Sequence, residues 1–225
     1  MPLSGLSVAV FDAYGTLFDL GRLLDCVRPT LGEDATRLGE LWRRKQLEYS
    51  WLRSLMGRHA DFWHVTGESL DFAMKSLGIR DPSLRSRLME AYLTPTAFPE
   101  ALAALTKIRD SGLRMAILSN GSPSMLISAA KSAKLDTLLD ALLSVESVGI
   151  FKPHPSVYRL VEQRFACRPE QVAFMSSNSW DVAGAAAFGF RTVWINRQGQ
   201  PLEALPASPL RELPDLSPLP ALLAG

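Results

Sequence analysis

Val-Ala-Val-Phe-Asp-Ala-Tyr-Gly-Thr-Leu-Phe-Asp, residues 8–19, is the stretch on which the fold turns. Val8 to Phe11 is a short apolar, partly β-branched run, the pattern of a buried parallel strand. Gly15 and Thr16 then mark a tight turn. Asp12 therefore stands at the C-terminal end of a strand, where open α/β sheets gather their ligands. A carboxylate there is costly unless it does chemistry or is hydrogen-bonded. An aspartate that merely caps the next turn is the plainer alternative. Three further polar clusters behind other candidate strands weigh the reading toward chemistry.

Working outward, short apolar runs alternate with helical patterns. Strands are expected near Ser7–Phe11, Leu113–Leu118, Ala141–Val145, Gln171–Met175 and Arg191–Ile195. Helices are expected over Glu100–Ser111, Ser122–Ala133, Ser156–Phe165 and Asp181–Phe188. This alternation predicts an α/β fold: a parallel Rossmann-like sheet with helices on both faces. Residues 20–98 break the rhythm. They hold no convincing strand, and Leu38, Leu41, Trp42, Tyr49, Leu52 and Met56 recur near helical spacing. The expectation is a helical cap subdomain at 20–98, inserted into a core made of residues 1–19 and 99–225. Thr94-Pro-Thr-Ala-Phe-Pro99 reads as the return linker, because its prolines oppose helix. The last 25 residues carry six prolines, which predicts an irregular tail with one short closing element.

Composition narrows the classes. The chain has 225 residues, 47% hydrophobic and 21% charged, with net charge +1. That suits one ordinary globular protein and gives no electrostatic footprint for nucleic acid. Cys26 and Cys167 are isolated, so they read as small core residues. The first residues lack a basic signal-like segment, and no apolar run is long enough to span a membrane. A cytoplasmic setting with no membrane partner is the expectation. His59, His64 and His154 lack metal-ligand spacing. There is no GxSxG, GxGxxG or Walker A pattern, and Ser128 to Lys131 matches SxxK only in mid-helix.

The second cluster, Ser119-Asn-Gly-Ser122, ends one strand and opens a helix. Ser119 and Asn120 offer donors, and Gly121 lets backbone approach a ligand. A turn with Ser122 as N-cap before Pro123 explains it equally well. The third is Phe151-Lys-Pro153. Lys152 precedes proline and lies among apolar neighbours, so it is placed to hold a negative charge; a snorkelling surface lysine is the alternative. The fourth, Ser176-Ser-Asn-Ser-Trp-Asp181, follows a strand and leads into a small-residue helix. The helix dipole alone favours Asp181 there. All four clusters converge in one crevice if the sheet is parallel.

Within the insert, Trp42-Arg-Arg-Lys45 looks like a basic patch, but helical geometry divides it. Arg44 lies between Glu40 and Glu48 at four-residue spacing, a solvated ion-pair row. Arg43 shares a partly apolar stripe with Gly39, Leu47 and Trp51. It therefore snorkels or faces an anionic ligand, and the ligand is the favoured reading.

In this order the four clusters resemble the haloacid dehalogenase superfamily over nearly the whole chain. More narrowly, residues 11–19, 42–53, 119–122, 151–153 and 176–181 resemble the L-2-haloacid dehalogenases. The superfamily is mostly phosphatases, which carry a second aspartate two residues after the nucleophile and a Gly-Asp pair in the last motif. Here those positions hold Tyr14 and Ser177, so no metal and no cofactor is expected. A halide, unlike an alkoxide, leaves without a proton.

The resemblance implies that Asp12 attacks the halogen-bearing carbon with inversion. Water then hydrolyses the aspartyl ester to a 2-hydroxy acid. It implies that Lys152 keeps Asp12 ionised and that Asp181, with Asn178, handles the water. Ser119 would hold the substrate carboxylate, and Thr16 and Ser176 would hydrogen-bond Asp12 or Lys152. Arg43 and Asn120 would receive the halide, and Tyr158 would support the lysine–aspartate network. Tyr14, Phe62 and Trp180 would line an apolar pocket. The implied partners are a small halogenated acid, water and the halide product, with a homodimer by family habit. A magnesium-dependent phosphatase and a non-catalytic binding protein on the same fold are the competing readings.

Overall fold

The computed structural model describes residues 2–224. Its sheet starts with β1 (Val8–Phe11), every residue of which is buried. The chain then makes only helices until the second strand: α1 (Arg28–Leu31), α2 (Asp34–Leu55), α3 (Phe62–Ser76), α4 (Pro82–Leu93) and α5 (Ala101–Asp110). Alternation resumes with β2 (Arg114–Ser119), α6 (Pro123–Ser132), β3 (Ala141–Ser144), α7 (Pro155–Phe165), β4 (Val172–Ser176), α8 (Ser179–Phe188) and β5 (Arg191–Ile195). The tail adds β6 (Arg211–Leu213) and α9 (Leu219–Leu223). It therefore closes with two elements where one was expected. The three-residue β6 lies between Pro209 and Pro214 and carries Arg211 and Glu212, so it shows no apolar pattern.

The six strands are all parallel, in the order β3-β2-β1-β4-β5-β6. β1 is central, and β2 and β4 are its neighbours. The chain winds outward through β2 and β3, then returns to lay β4 on the other side of β1. The crevice at the C-terminal ends of β1 and β4 is thus the point where the winding direction reverses, the usual ligand position in such sheets. β1 and β4 are wholly buried because helices cover both faces, which is why they read as unbroken apolar runs.

The chain leaves the sheet after β1 and returns before β2 through two adjacent segments. Asp19 N–H donates to Thr96 O (2.8 Å), and Phe98 N–H to Leu17 O (2.9 Å). In α2, Leu38, Trp42, Gln46 and Ser50 are buried at four-residue spacing and face α3. The apolar residues at its C-terminal end do not join that stripe: Leu55 is 83% and Met56 63% exposed. Glu146, just beyond β3, accepts from the Phe62 N–H that begins α3 (3.0 Å) and also pairs with His59 (2.8 Å). Cys26 is exposed, not a core residue, while Cys167 is half-buried against the core.

Candidate active site

Asp12 lies one residue beyond β1. Its N–H donates to Met175 O (2.8 Å), which continues the ladder to β4 and fixes its backbone. Gly15 then turns the chain with φ of +90°, and a Cβ there would lie 3.0 Å from Ser177 Oγ. Only glycine suits that turn. The turn brings Thr16 back: its Oγ1 donates to Asp12 Oδ2 (3.1 Å) and accepts the Ser177 N–H (2.8 Å). Asn178 Nδ2 donates to the same carboxylate oxygen (2.9 Å). Oδ2 is thereby held by two neutral donors, while Oδ1 faces the Lys152 ammonium at 3.2 Å.

Lys152 is 1% exposed. Its N–H donates to Asn120 Oδ1 (3.0 Å), which ties its loop to the end of β2. Its Nζ lies 2.7 Å from Asp181 Oδ2 and 5.1 Å from the centre of the Phe174 ring. Asp181 sits in the first turn of α8 and is fully buried. Its second oxygen accepts from the Tyr158 hydroxyl (2.8 Å). Gly184 makes room for that approach, since a Cβ there would lie 2.6 Å from the Tyr158 oxygen.

Two carboxylates thus share one ammonium in a desolvated place. Burial pushes Asp181 up to about 6, with the charge of Asp12 adding to the effect, while Lys152 and the Tyr158 hydrogen bond pull the other way. Burial opposes the charge on Lys152, but the two carboxylates outweigh it and raise its pKa. The Tyr158 hydroxyl, raised well above its ordinary value by burial and by Asp181, stays protonated as a donor.

The other wall comes from α2 and α3. Arg43 Nη2 reaches Asn178 Oδ1 (3.3 Å), and its Nη1 donates to Gln46 Oε1 (2.8 Å). Tyr14, Phe62 and Phe151 form an aromatic run with ring centres 6.4 and 5.9 Å apart. Trp180 packs edge-on against Trp51 at 5.5 Å. Two open clefts of about 700 and 710 Å³ meet at Arg43, and the second also borders Gly15, Asn178 and Trp180.

Several expected contacts take another form. Ser176 Oγ accepts the Asn178 N–H (3.1 Å), so it acts on Asp12 one residue removed rather than directly. Ser119 Oγ accepts the Gly121 N–H (3.0 Å), which leaves its own hydrogen to donate. Asn120 spends its oxygen on Lys152, a role its sequence context did not reveal. Ser122 occupies the N-cap position of α6 without a capping hydrogen bond from its side chain. Asp181 does not serve as a plain helix cap, because its carboxylate turns inward to Lys152 and Tyr158. The Arg44 ion-pair row does not form among the described residues. Lys45 instead takes Glu48 (2.9 Å) and lies over the Phe72 ring.

Sequence reading also missed Gln46 and Phe174, and it read Ser177 only as a replaced metal-ligand position, not as the backbone donor to Thr16. For Gln46 a signal existed: it is a polar residue on the same four-residue row as Leu38 and Trp42.

The magnesium site of the phosphatase branch does not fit these residues. Tyr14 and Ser177 replace the oxygen ligands, and the Lys152 ammonium already stands between Asp12 and Asp181. Among the described residues, no three His, Cys, Asp or Glu side chains gather as a metal would require. Nor is any described helix long and apolar enough to cross a membrane.

Comparison with known proteins places this geometry. The profile of the haloacid dehalogenase-like hydrolases matches residues 6–189. The chain is 45% identical over 219 residues to (S)-2-haloacid dehalogenase 1 of Pseudomonas sp. (strain CBS-3), covering 97% of this chain and 96% of that protein. A crystal structure of a dehalogenase is 44% identical, superimposes with a TM-score of 0.96, and is matched over 99% of both chains. The L-2-haloacid dehalogenase of Xanthobacter autotrophicus, solved with chloropropionic acid covalently bound, is 38% identical with a TM-score of 0.90, over 96% of this chain and 98% of that one.

Proposed function

The chain belongs to the haloacid dehalogenase-like hydrolases and, among them, to the (S)-2-haloacid dehalogenases, and from that premise we propose that it hydrolyses short L-2-haloalkanoic acids to 2-hydroxy acids through an ester on Asp12. Oδ1 of Asp12 attacks the α-carbon on the face opposite the halogen. The C–O bond forms as the C–X bond breaks, the halide leaves with the bonding pair, and the configuration inverts. No proton moves in this step. Lys152 holds the carboxylate ionised and aimed, and Thr16 and Asn178 fix its other oxygen.

Water then attacks the carbonyl carbon of the ester. Asp181 accepts one proton of the water and passes it to the departing alkoxide, which leaves as the hydroxyl of the product, while the second proton, left on the regenerated Asp12 carboxyl, is released to solvent. Forming the ester removes the charge of Asp12, one of the causes that hold Asp181 high. Asp181 therefore becomes a more ionised base just after the first step. Arg43 receives the halide, Asn120 adds its amide, and the free hydrogen of Ser119 serves the substrate carboxylate. Tyr14, Phe62 and Trp180 enclose the carbon chain.

The observation that carries this reading is the single buried ammonium between two carboxylates, at 3.2 and 2.7 Å. It supplies a charged nucleophile and a base without a metal. Residues 20–98 then act as a cap over the core of residues 1–19 and 99–225. The exposed Leu52, Leu55 and Met56 fit a second copy of the chain, hence a homodimer. Halide release from L-2-chloropropionate in excess EDTA, beside hydrolysis of p-nitrophenyl phosphate with Mg²⁺, tests the reaction. Undiminished halide release is expected. Activity that appears only on the phosphate ester with Mg²⁺ would overturn the proposal.

A further inference from the structure

Gln46 is a buried amide in the middle of α2, 1% exposed, with no solvent to satisfy it. Burying an amide is unfavourable unless its hydrogen bonds are made, and an apolar side chain would fill the site at lower cost. Its bonds are made to an unusual set of partners. Nε2 donates to Thr66 Oγ1 (2.7 Å), Oε1 accepts from Arg43 Nη1 (2.8 Å), and the Tyr92 hydroxyl lies beside both amide atoms, 3.1 Å from Nε2 and 3.2 Å from Oε1.

The direction of this amide is imposed from behind. Thr66 Oγ1 donates its only hydrogen to Phe62 O at 2.6 Å, so towards Gln46 it can only accept. The NH₂ of Gln46 must face Thr66, and its oxygen must face Arg43. Thr66 is itself wholly buried, and its backbone oxygen is held by Trp42 Nε1 (2.9 Å). Arg43, by contrast, borders both open clefts and has room for other rotamers. It also lies beside the Tyr92 hydroxyl, and its link across to the core is the longer one to Asn178 Oδ1, at 3.3 Å.

We infer that Gln46 is a positioning residue, which holds the Arg43 guanidinium on the line of the departing halide through a chain running from Thr66 to Arg43. The inference rests on the dehalogenase reading above. A guanidinium fixed in advance stabilises charge that develops as the C–X bond breaks; one left to wander must be ordered during the reaction. Chloride is the poorer leaving group and the stronger hydrogen-bond acceptor, so it depends more on that fixed donor than bromide does. A wrongly oriented Arg43 should therefore penalise chloro-acids selectively.

The test is kcat/KM, which reports the first irreversible step, on L-2-chloropropionate and L-2-bromopropionate. The variants are Gln46→Met, Thr66→Val and Ser50→Ala. Ser50 is equally buried on the same helix and donates to Gln46 O (2.7 Å), so it controls for loss of packing alone. In Gln46→Met, kcat/KM for the chloro-acid should fall about tenfold and the bromide-to-chloride ratio should rise about threefold or more. Thr66→Val should shift the ratio the same way by less, and it carries the test if Gln46→Met does not fold. Ser50→Ala should leave the ratio at the wild-type value. Equal losses on both acids, or an equal shift in Ser50→Ala, would overturn the inference while the dehalogenase reading stands. A wild-type protein that releases neither halide would overturn the reading and the inference with it.

Discussion

Arg43 and Arg44 are neighbours of the same type on one helix, yet their surroundings differ. Arg43 is gripped by Gln46 and reaches across to Asn178, which itself binds Asp12. Arg44 is exposed and makes no salt bridge among the described residues. Arg43→Ala should lose about 2.7–4 kcal/mol of transition-state stabilisation, seen as a fall of about 10²–10³ in kcat on L-2-chloropropionate. Arg44→Ala should leave kcat unchanged and stability within about 0.5 kcal/mol. Steady-state kinetics and melting curves of both variants check this; a larger kinetic loss for Arg44 would refute it. Four-residue spacing was enough to separate the two arginines in the sequence. The choice of Lys45 over Arg44 as the partner of Glu48 was not legible there, because the Lys45 ammonium also lies over the Phe72 ring, a contact between helices.

At the scale of elements, the strands were legible because β1, β2, β4 and β5 are nearly or wholly buried, so apolar runs mark them directly. β6 was not, since it is an edge strand of three residues in which Arg211 and Glu212 are exposed and only Leu213 turns toward the core. In α2 the apolar pattern was visible, but its meaning divided. Leu38 and Trp42 pack inward, whereas Leu52, Leu55 and Met56 face solvent, and the polar Gln46 and Ser50 continue the buried row. That exposed turn motivates a test of self-association. The Leu55→Asp, Met56→Asp double variant should sediment as a monomer at concentrations where the wild type is a dimer, with its melting temperature within a few degrees of the monomer's own. A wild type that is monomeric at tens of micromolar would dismiss the dimer.

At the scale of the whole molecule, the buried triad makes folding stability depend on pH. Asp181 titrates at about 6 in the folded protein against an ordinary 3.8. Below about pH 4 both states hold the proton. Between about 4 and 6 only the folded state keeps it, so stability falls as pH rises through that window and levels off above it. The loss across that window is on the order of 3 kcal/mol. Urea unfolding of wild type and Asp181→Asn from pH 4.5 to 8 should show a difference that declines and then flattens; a difference that grows with pH would refute the sign. The convergence of four strand-end clusters was legible in the sequence, whereas this shared ammonium was not, because it depends on where the loop after β3 lands. Its charge count also bears on turnover. With both carboxylates ionised the Asp12–Lys152–Asp181 triad carries one net negative charge, and an ester on Asp12 would leave it with none. On the proposed mechanism, hydrolysis would restore that charge beside a newly freed hydroxy acid, itself an anion, and the triad would then repel the product. Protonating Asp181 cancels that repulsion, so lactate should inhibit several-fold more strongly at pH 5 than at pH 8, and its inhibition constants at the two pH values measure how far electrostatic ejection drives the cycle.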